Sequence, residues 1–391
     1  MNMLIIFIVF SLYISITATL NPVLLIPGIG GSQLYGKISK EKVSPFYCEK
    51  NTGWYTLWFN LPAHLLRFRI ECFVENIKLL YDSKSHKTRN PQGVEIKWSP
   101  PGTIKGMLNL DDYGIVTYFG YIVNRLKELG YQENGNLKGL SYDFRKAGNE
   151  LQETVDILIK LIEDMYVENE NESVCLVSHS MGGLIVLQML ETRSKEWKEK
   201  YIRDVVAIGV PYFGSVKSMQ ATISGYDFDA TIIQSKKVRT AQRSYPSTAW
   251  LFPNPKFWNS SLPLVKTPKR AYNVNEYKNL YHDIGFMNGY EMYKDTEHIL
   301  KFNPPGVPWH TVFGTGIKTP LQLIYNKLFP NSTPVIVEAE GDGTVDVHSS
   351  TGSTMWIGKQ SEPLDFLAVN DAEHVALLKS NKVVNYIKKF L

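Results

Sequence analysis

A serine hydroxyl has useful chemistry only where the chain presents it to a base and to donors for the charge that develops. Residues 172–190 have the makings of such a place. Val174–Val177 is a short apolar run that reads as a buried strand; it breaks at Ser178-His-Ser-Met-Gly182 and restarts as an apolar helix from Gly183. Strand, sharp turn and helix lift the middle hydroxyl, Ser180, above a sheet edge. The N–H of Met181 then points at the same spot from the positive end of a helix. Small residues must flank such a serine, and Ser178 stands where glycine is commoner, while Gly182 keeps the G-x-S-x-G pattern.

A serine in this position requires a base and a group that orients it, in the chain order Ser, acid, His. The stretch Asp365–Val375 reads as a strand followed by a polar loop carrying His374, ahead of a C-terminal helix over Ala376–Phe390. That loop falls over the same sheet edge as the serine. His374 is preferred to His348, which lies among Thr and Ser. For the acid, Glu340-Gly-Asp-Gly-Thr-Val345 places Asp342 between glycines in a tight turn, where backbone N–H groups keep a carboxylate ionised; Asp346 is the alternative. A second oxyanion donor is expected from Pro22–Leu34, a strand running into Pro-Gly-Ile-Gly-Gly, and Ile29 is the residue chosen. Together these predict attack by Ser180 on an ester carbonyl through an acyl-enzyme. That chemistry calls for no metal and no cofactor, and the Cys and His spacings suggest no metal site.

The elements that hold these residues alternate. Helical spacing at Tyr113–Leu129 and Leu151–Tyr166, strands at Val174–Val177 and Tyr201–Val210, and a resumed sheet at Val307–Phe313 and Pro334–Glu338 predict an α/β fold with a mostly parallel central sheet. Asp143 and Arg145 read as a structural ion pair. From about 215 to 310 the rhythm is lost among Gly, Pro, Asn and aromatics, which predicts an inserted cap with a lid near 218–243. The 391 residues carry a formal charge of only +4, spread along the chain, which gives no basic footprint for nucleic acid.

The N-terminus carries an apolar run from Leu4 to Ile16, the length of a signal-peptide core and short for a membrane span, with cleavage expected after Ala18. Secretory entry agrees with sequons at Asn171, Asn259 and Asn331. Of the three cysteines, Cys175 falls inside a buried strand, which leaves Cys48 and Cys72 to pair. Between them lie Trp54, Trp58, Phe59, Leu61 and Leu65 with Arg67 and Arg69. A clipped loop of this composition suits an element that dips into lipid headgroups; packing on the core is the competing reading.

In these motifs the chain resembles the lecithin:cholesterol acyltransferase family. They are PGIGGSQL within Pro22–Leu34, Cys48 and Cys72 around Trp58, Pro100–Gly102, Tyr142–Arg145, Ser178–Gly182, Gly209–Pro211, Asp283–Phe286, Gly341–Val345 and Glu373-His374. The resemblance implies an α/β-hydrolase fold with Ser180, Asp342 and His374 as the triad and Ile29 and Met181 as oxyanion donors. It implies a membrane-binding element at 44–75, a lid over an acyl groove, and a domain running from 19 to 391. It further implies a serine phospholipase and O-acyltransferase that passes a glycerophospholipid acyl group to water or to a sterol- or ceramide-type alcohol. Such an enzyme works at a phospholipid membrane or lipoprotein surface, as a monomer, in the lysosome or outside the cell. A neutral-lipid or soluble-ester lipase is the alternative, followed by a non-catalytic lipid carrier. Two departures stand out: members often have Asp or Cys where this chain has Ile29, and the family's second, more C-terminal disulfide has no cysteines here.

Overall fold

The computed structural model describes residues 20–60, 69–226 and 235–391; the expected leader, Leu61, Leu65 and the middle of the lid segment lie outside them. Six strands form the central sheet: β1 (Val23–Ile26), β2 (Leu137–Gly139), β3 (Val174–His179), β4 (Ile202–Ile208), β5 (Trp309–Thr315) and β6 (Leu364–Asn370). Their order is β2-β1-β3-β4-β5-β6 and every pairing is parallel. Val174–Val177 of β3 and Val205–Ile208 of β4 are continuous apolar runs because both faces of the sheet are covered there. Leu24, Ile26 and Leu176 face one core, while Val23, Leu25, Cys175 and Val177 face the other. Cys175 is a buried free thiol, as its place in β3 required.

The helix Gln152–Glu168 buries Val155, Leu158, Ile162 and Met165, the stripe that helical periodicity dictates. The helix Met181–Leu190 is buried at every position but Gln188, so it is a core element with no solvent face. This architecture is the α/β-hydrolase fold. The sheet order reverses between β1 and β3, and a doubly wound sheet opens its crevice at such a point, outside the carboxyl ends of the strands. The turns after β1 and β3 both carry predicted site residues.

Three expectations are corrected. The helix expected at Tyr113–Leu129 spans only Gly120–Lys127. The Asp111 carboxylate accepts from the N–H groups of Tyr113, Ile115 and Val116, which holds that stretch as a loop. The strand expected to resume the central sheet near Pro334–Glu338 is Val335–Gly341, and it pairs antiparallel with Ile317–Ile324 in a separate four-stranded sheet. Its Val335 and Val337 are exposed, so an apolar run here does not mean burial on two faces. The C-terminal helix is broken, with a 3₁₀ turn Ala376–Lys379, extended Ser380 and a helix Asn381–Ile387.

Asp143 and Arg145 form a buried ion pair, with Nε and Nη2 donating at 2.8 Å to the two carboxylate oxygens. Nη1 also donates to the Ile77 carbonyl and Nη2 to Asn90 Oδ1. Burial pushes the Asp143 carboxyl upward, but the Arg145 charge and hydrogen bonds outweigh it and leave its pKa lowered. Ser247 binds the Arg145 carbonyl through both its N–H and its hydroxyl, so the pair also anchors the cap. Substituting Arg145→Met strands a buried carboxylate and is expected to cost about 3–5 kcal/mol. Urea unfolding midpoints measure this, and a loss below about 1 kcal/mol contradicts the assignment.

Candidate active site

Ser180 follows β3 with φ 55° and ψ −130°, a conformation that only a strongly constrained turn imposes on a residue with a side chain. Its N–H donates to the Ile208 carbonyl at 2.8 Å, and its own carbonyl accepts from Gly183 N–H at 3.0 Å. Gly182 and Gly183 are required by close approach. A Cβ at 182 would lie 2.5 Å from the carbonyl oxygens of both Ile26 and Pro27, and one at 183 would lie 2.3 Å from Val210 Cγ2. The first turn of the helix Met181–Leu190 is thereby drawn onto the end of β1, with Met181 N–H at its positive end.

His374 and Asp342 meet across two connections. The imidazole Nδ1–H donates to Asp342 Oδ2 at 2.7 Å, and His374 N–H donates to the Asp342 carbonyl at 2.9 Å. The other carboxylate oxygen accepts from the N–H groups of Thr344 (3.0 Å) and Val345 (2.7 Å), as the Gly-Asp-Gly turn led one to expect. Asp342 is reached from the antiparallel hairpin and His374 from the loop after β6, so two different sheets deliver the pair. Gly209, at the end of β4, backs the imidazole: a Cβ there would lie 3.1 Å from Cε1 and Nδ1. With Nδ1 committed to Asp342, Nε2 is the nitrogen left for a proton from a serine. The alternatives are elsewhere. Asp346 caps the helix Val347–Ser350, and burial raises its pKa; His348 binds the Phe257 carbonyl.

The turn after β1 presses on the serine. A Cβ at Gly28 would lie 2.5 Å from Ser180 Cβ and 3.1 Å from Ser180 Oγ. Its polar groups are fixed one by one. The Pro27 carbonyl accepts from Tyr142 Oη at 2.7 Å, Gly28 N–H donates to Tyr118 Oη at 3.0 Å, and the Gly30 carbonyl accepts from Trp58 Nε1 at 2.7 Å. Among the described residues the N–H groups of Ile29 and Met181 donate to no protein acceptor, which suits the oxyanion donors predicted. Sequence reasoning missed Tyr118, Tyr142, His179 and the part played by Trp58. His179 had a signal, its place between two serines of the turn. Tyr118 had none, because 61 residues separate it from the histidine it touches.

Ser180, His374 and Asp342 open into a cavity of about 830 Å³, within the range of ligand sites. Its wall is largely apolar, with Trp58, Phe59, Phe73, Phe144 and Leu251 among the lining residues, and Lys217, Gln242, Lys318 and Glu338 add polar groups. The cap contributes Val238 and Ala241 from the helix Ser235–Gln242, and Ser218 and Ala221 from Val216–Ile223. Gln242 binds both backbone groups of Tyr226, and Arg243 binds the Thr222 carbonyl, so these lid flanks are strapped together. In place of a second disulfide the cap has stacked rings: Phe252 lies on Tyr281 with centroids 5.4 Å apart and meets Tyr277 edge-on.

Cys48 and Cys72 are joined, tying a loop to the helix Ile70–Ile77. The five residues expected to contact lipid part company. Trp54 is 43% exposed under Lys97, whereas Trp58 is 8% exposed. The strand Tyr55–Trp58 pairs with Leu34–Ile38 and turns Trp58 inward, where it lines the cavity; the half-buried Phe59 lines the cavity as well. Asn171, Asn259 and Asn331 are all exposed, as glycosylation requires.

The profile of the family described as lecithin:cholesterol acyltransferase matches residues 54–303. A lysosomal phospholipase A and acyltransferase from Bos taurus is 37% identical over 95% of this chain and 91% of its own, and the Homo sapiens protein of that name is 34% identical over 95% and 90%. A phosphatidylcholine-sterol acyltransferase from Mus musculus is 30% identical over 95% and 85%. In fold, the chain is similar to one in the crystal structure of the Tle4–Tli4 complex, with a TM-score of 0.51 at 13% identity over 94% of this chain and 98% of that one. With a serine turn, an Asp-His pair and an apolar cavity in one place, and with relatives matched over nearly its whole length, the chain belongs to the lecithin:cholesterol acyltransferase family.

Proposed function

We propose that this protein is a serine phospholipase and O-acyltransferase that takes a fatty acyl group from a glycerophospholipid and delivers it to water or to a lipid alcohol. The observation that carries the reading is a largely apolar cavity of about 830 Å³ lined both by Ser180 and by the His374–Asp342 pair. His374 Nε2 takes the Ser180 proton as Oγ attacks the ester carbonyl, and Asp342 holds the tautomer and stabilises the imidazolium. The N–H groups of Ile29 and Met181 receive the oxyanion. The imidazolium returns its proton to the departing glycerol oxygen, which leaves an acyl-serine. Water or an alcohol then enters and loses its proton to His374 as its oxygen attacks the acyl carbon; the acyl–Oγ bond breaks, the imidazolium returns the proton to Ser180 Oγ, and fatty acid or a new ester leaves.

The acyl chain occupies the wall formed by Trp58, Phe59, Phe73 and Phe144, where each buried methylene contributes about 0.8 kcal/mol. Trp54, with the apolar segment between the paired cysteines, contacts the surface of a membrane or lipoprotein, and the lid flanks at 218–226 and 235–243 border the entrance. The names of the relatives support a lysosomal address reached through the secretory pathway, with glycans at Asn171, Asn259 and Asn331. The chain acts as a monomer.

Product analysis tests the reading: phosphatidylcholine vesicles are supplied with and without N-acetylsphingosine. Fatty acid is expected without the alcohol, and acyl-alcohol at its expense with it. Ser180→Ala is expected to lower both by at least about 10³-fold. Equal rates for wild type and Ser180→Ala would return the carrier reading; a rate independent of vesicles would favour a soluble-ester lipase. Gly28→Ala drives a methyl into Ser180 and its turn, so activity is expected to fall about 10²-fold for an overpacking cost of about 1–3 kcal/mol. Unchanged steady-state rates in Gly28→Ala would contradict the placement of that turn.

A further inference from the structure

We infer that Tyr118 and His179 are positioning residues, joining the oxyanion turn to the His374 loop through a relay in which His179 is held as the neutral imidazole carrying its proton on Nε2. Its consequence for catalysis rests on the function proposed above; its tautomer rests on the hydrogen bonds alone. Gly28 N–H donates to Tyr118 Oη at 3.0 Å. Tyr118 Oη lies 2.5 Å from His179 Nδ1, and His179 Nε2 lies 3.1 Å from the His374 carbonyl oxygen.

The two outer links have one direction each. A backbone N–H can only donate and a carbonyl can only accept. Tyr118 therefore accepts from Gly28 and Nε2–H serves His374, which in a neutral imidazole leaves Nδ1 bare to accept the single Tyr118 hydrogen. A second proton, on Nδ1, would meet the hydroxyl oxygen and leave the Tyr118 hydrogen without this acceptor. The groups are packed as the bonds require. Both side chains are buried, and a Cβ at Gly31 would lie 2.7 Å from Tyr118 Oη.

The His179 and His374 rings are 4.6 Å apart between centroids, so the titratable groups facing His179 are His374 and Tyr118. Burial and the neighbouring His374 hold the His179 pKa well below the usual histidine range. That suits the chemistry, because His374 becomes cationic during the reaction and a second cation beside it would oppose proton transfer from Ser180. The relay also gives the turn on one side of Ser180 and the loop on the other a common support, independent of the Asp342–His374 pair.

Nitrogen-15 NMR of the full chain with labelled histidine tests the tautomer directly. His179 is expected to show a protonated Nε2 and a bare Nδ1 throughout about pH 4.5 to 7.5, where an ordinary histidine titrates. In Tyr118→Phe the Nδ1 loses its donor, and that preference is expected to relax. Titration of His179 in this window, or a proton on Nδ1, overturns the inference, as does a Tyr118→Phe spectrum identical to wild type. Kinetics on p-nitrophenyl butyrate test the coupling. Tyr118→Phe and His179→Phe are each expected to lower kcat about tenfold with KM unchanged, and the double variant to be no worse than the worse single one. Multiplied losses, or an unchanged kcat in Tyr118→Phe, overturn it. If His179→Phe does not fold, the spectra and Tyr118→Phe still decide. A wild type inactive on every ester refutes the proposed function and leaves the NMR result to judge the relay.

Discussion

The conformation of Ser180 costs about 1–3 kcal/mol, and the surrounding structure is what holds it. Position 180 cannot relax because β3 fixes the residues before it and a helix without a solvent face fixes those after it. That helix reaches its place only because Gly182 and Gly183 let it lie against the end of β1 and against Val210. The same approach presses Gly28 onto the serine and leaves the N–H groups of Ile29 and Met181 beside it. The proposed nucleophile and the turn that carries the proposed donor Ile29 thus meet in one packing event at the reversal of the sheet order. The base and its acid are added from β6 and from a hairpin outside that sheet.

Much of this was legible in the sequence because it is encoded locally. Val174–Val177 is apolar, small and polar residues follow at Ser178–Gly182, and an apolar helix comes next, so the serine turn announces itself. Gly341-Asp-Gly343 names a carboxylate that accepts backbone N–H groups, and that is where Asp342 is found. What stayed hidden depends on which face a side chain takes after folding. Val335–Val337 looked like core, yet it lies on a hairpin with exposed alternate positions. Trp58 looked like a membrane anchor, yet its strand pairing turns the indole inward to hold Gly30. Tyr118 is joined to the site only through tertiary contact, which no spacing rule can anticipate.

The proposed chemistry follows from dividing the site into an apolar wall and a short polar end. In the proposed mechanism the largely apolar wall takes the acyl chain, and the acceptor is whichever hydroxyl reaches the acyl-serine. Hydrolysis and transfer then share every step up to the acyl-serine and differ only in the acceptor that arrives. An isoleucine at position 29 adds no ionisable group beside the oxyanion, so only the backbone of that residue is asked to act.

The central claim is that Ser180 carries the acyl group between donor and acceptor. The direct measurement is peptide mass spectrometry of enzyme mixed with a phosphatidylcholine of one defined acyl chain and quenched in acid during turnover. The account predicts the mass of that fatty acid, less water, added to the peptide containing Ser180 and lost on addition of an alcohol acceptor. Product formed with no such adduct, or an adduct on a different residue, would contradict it.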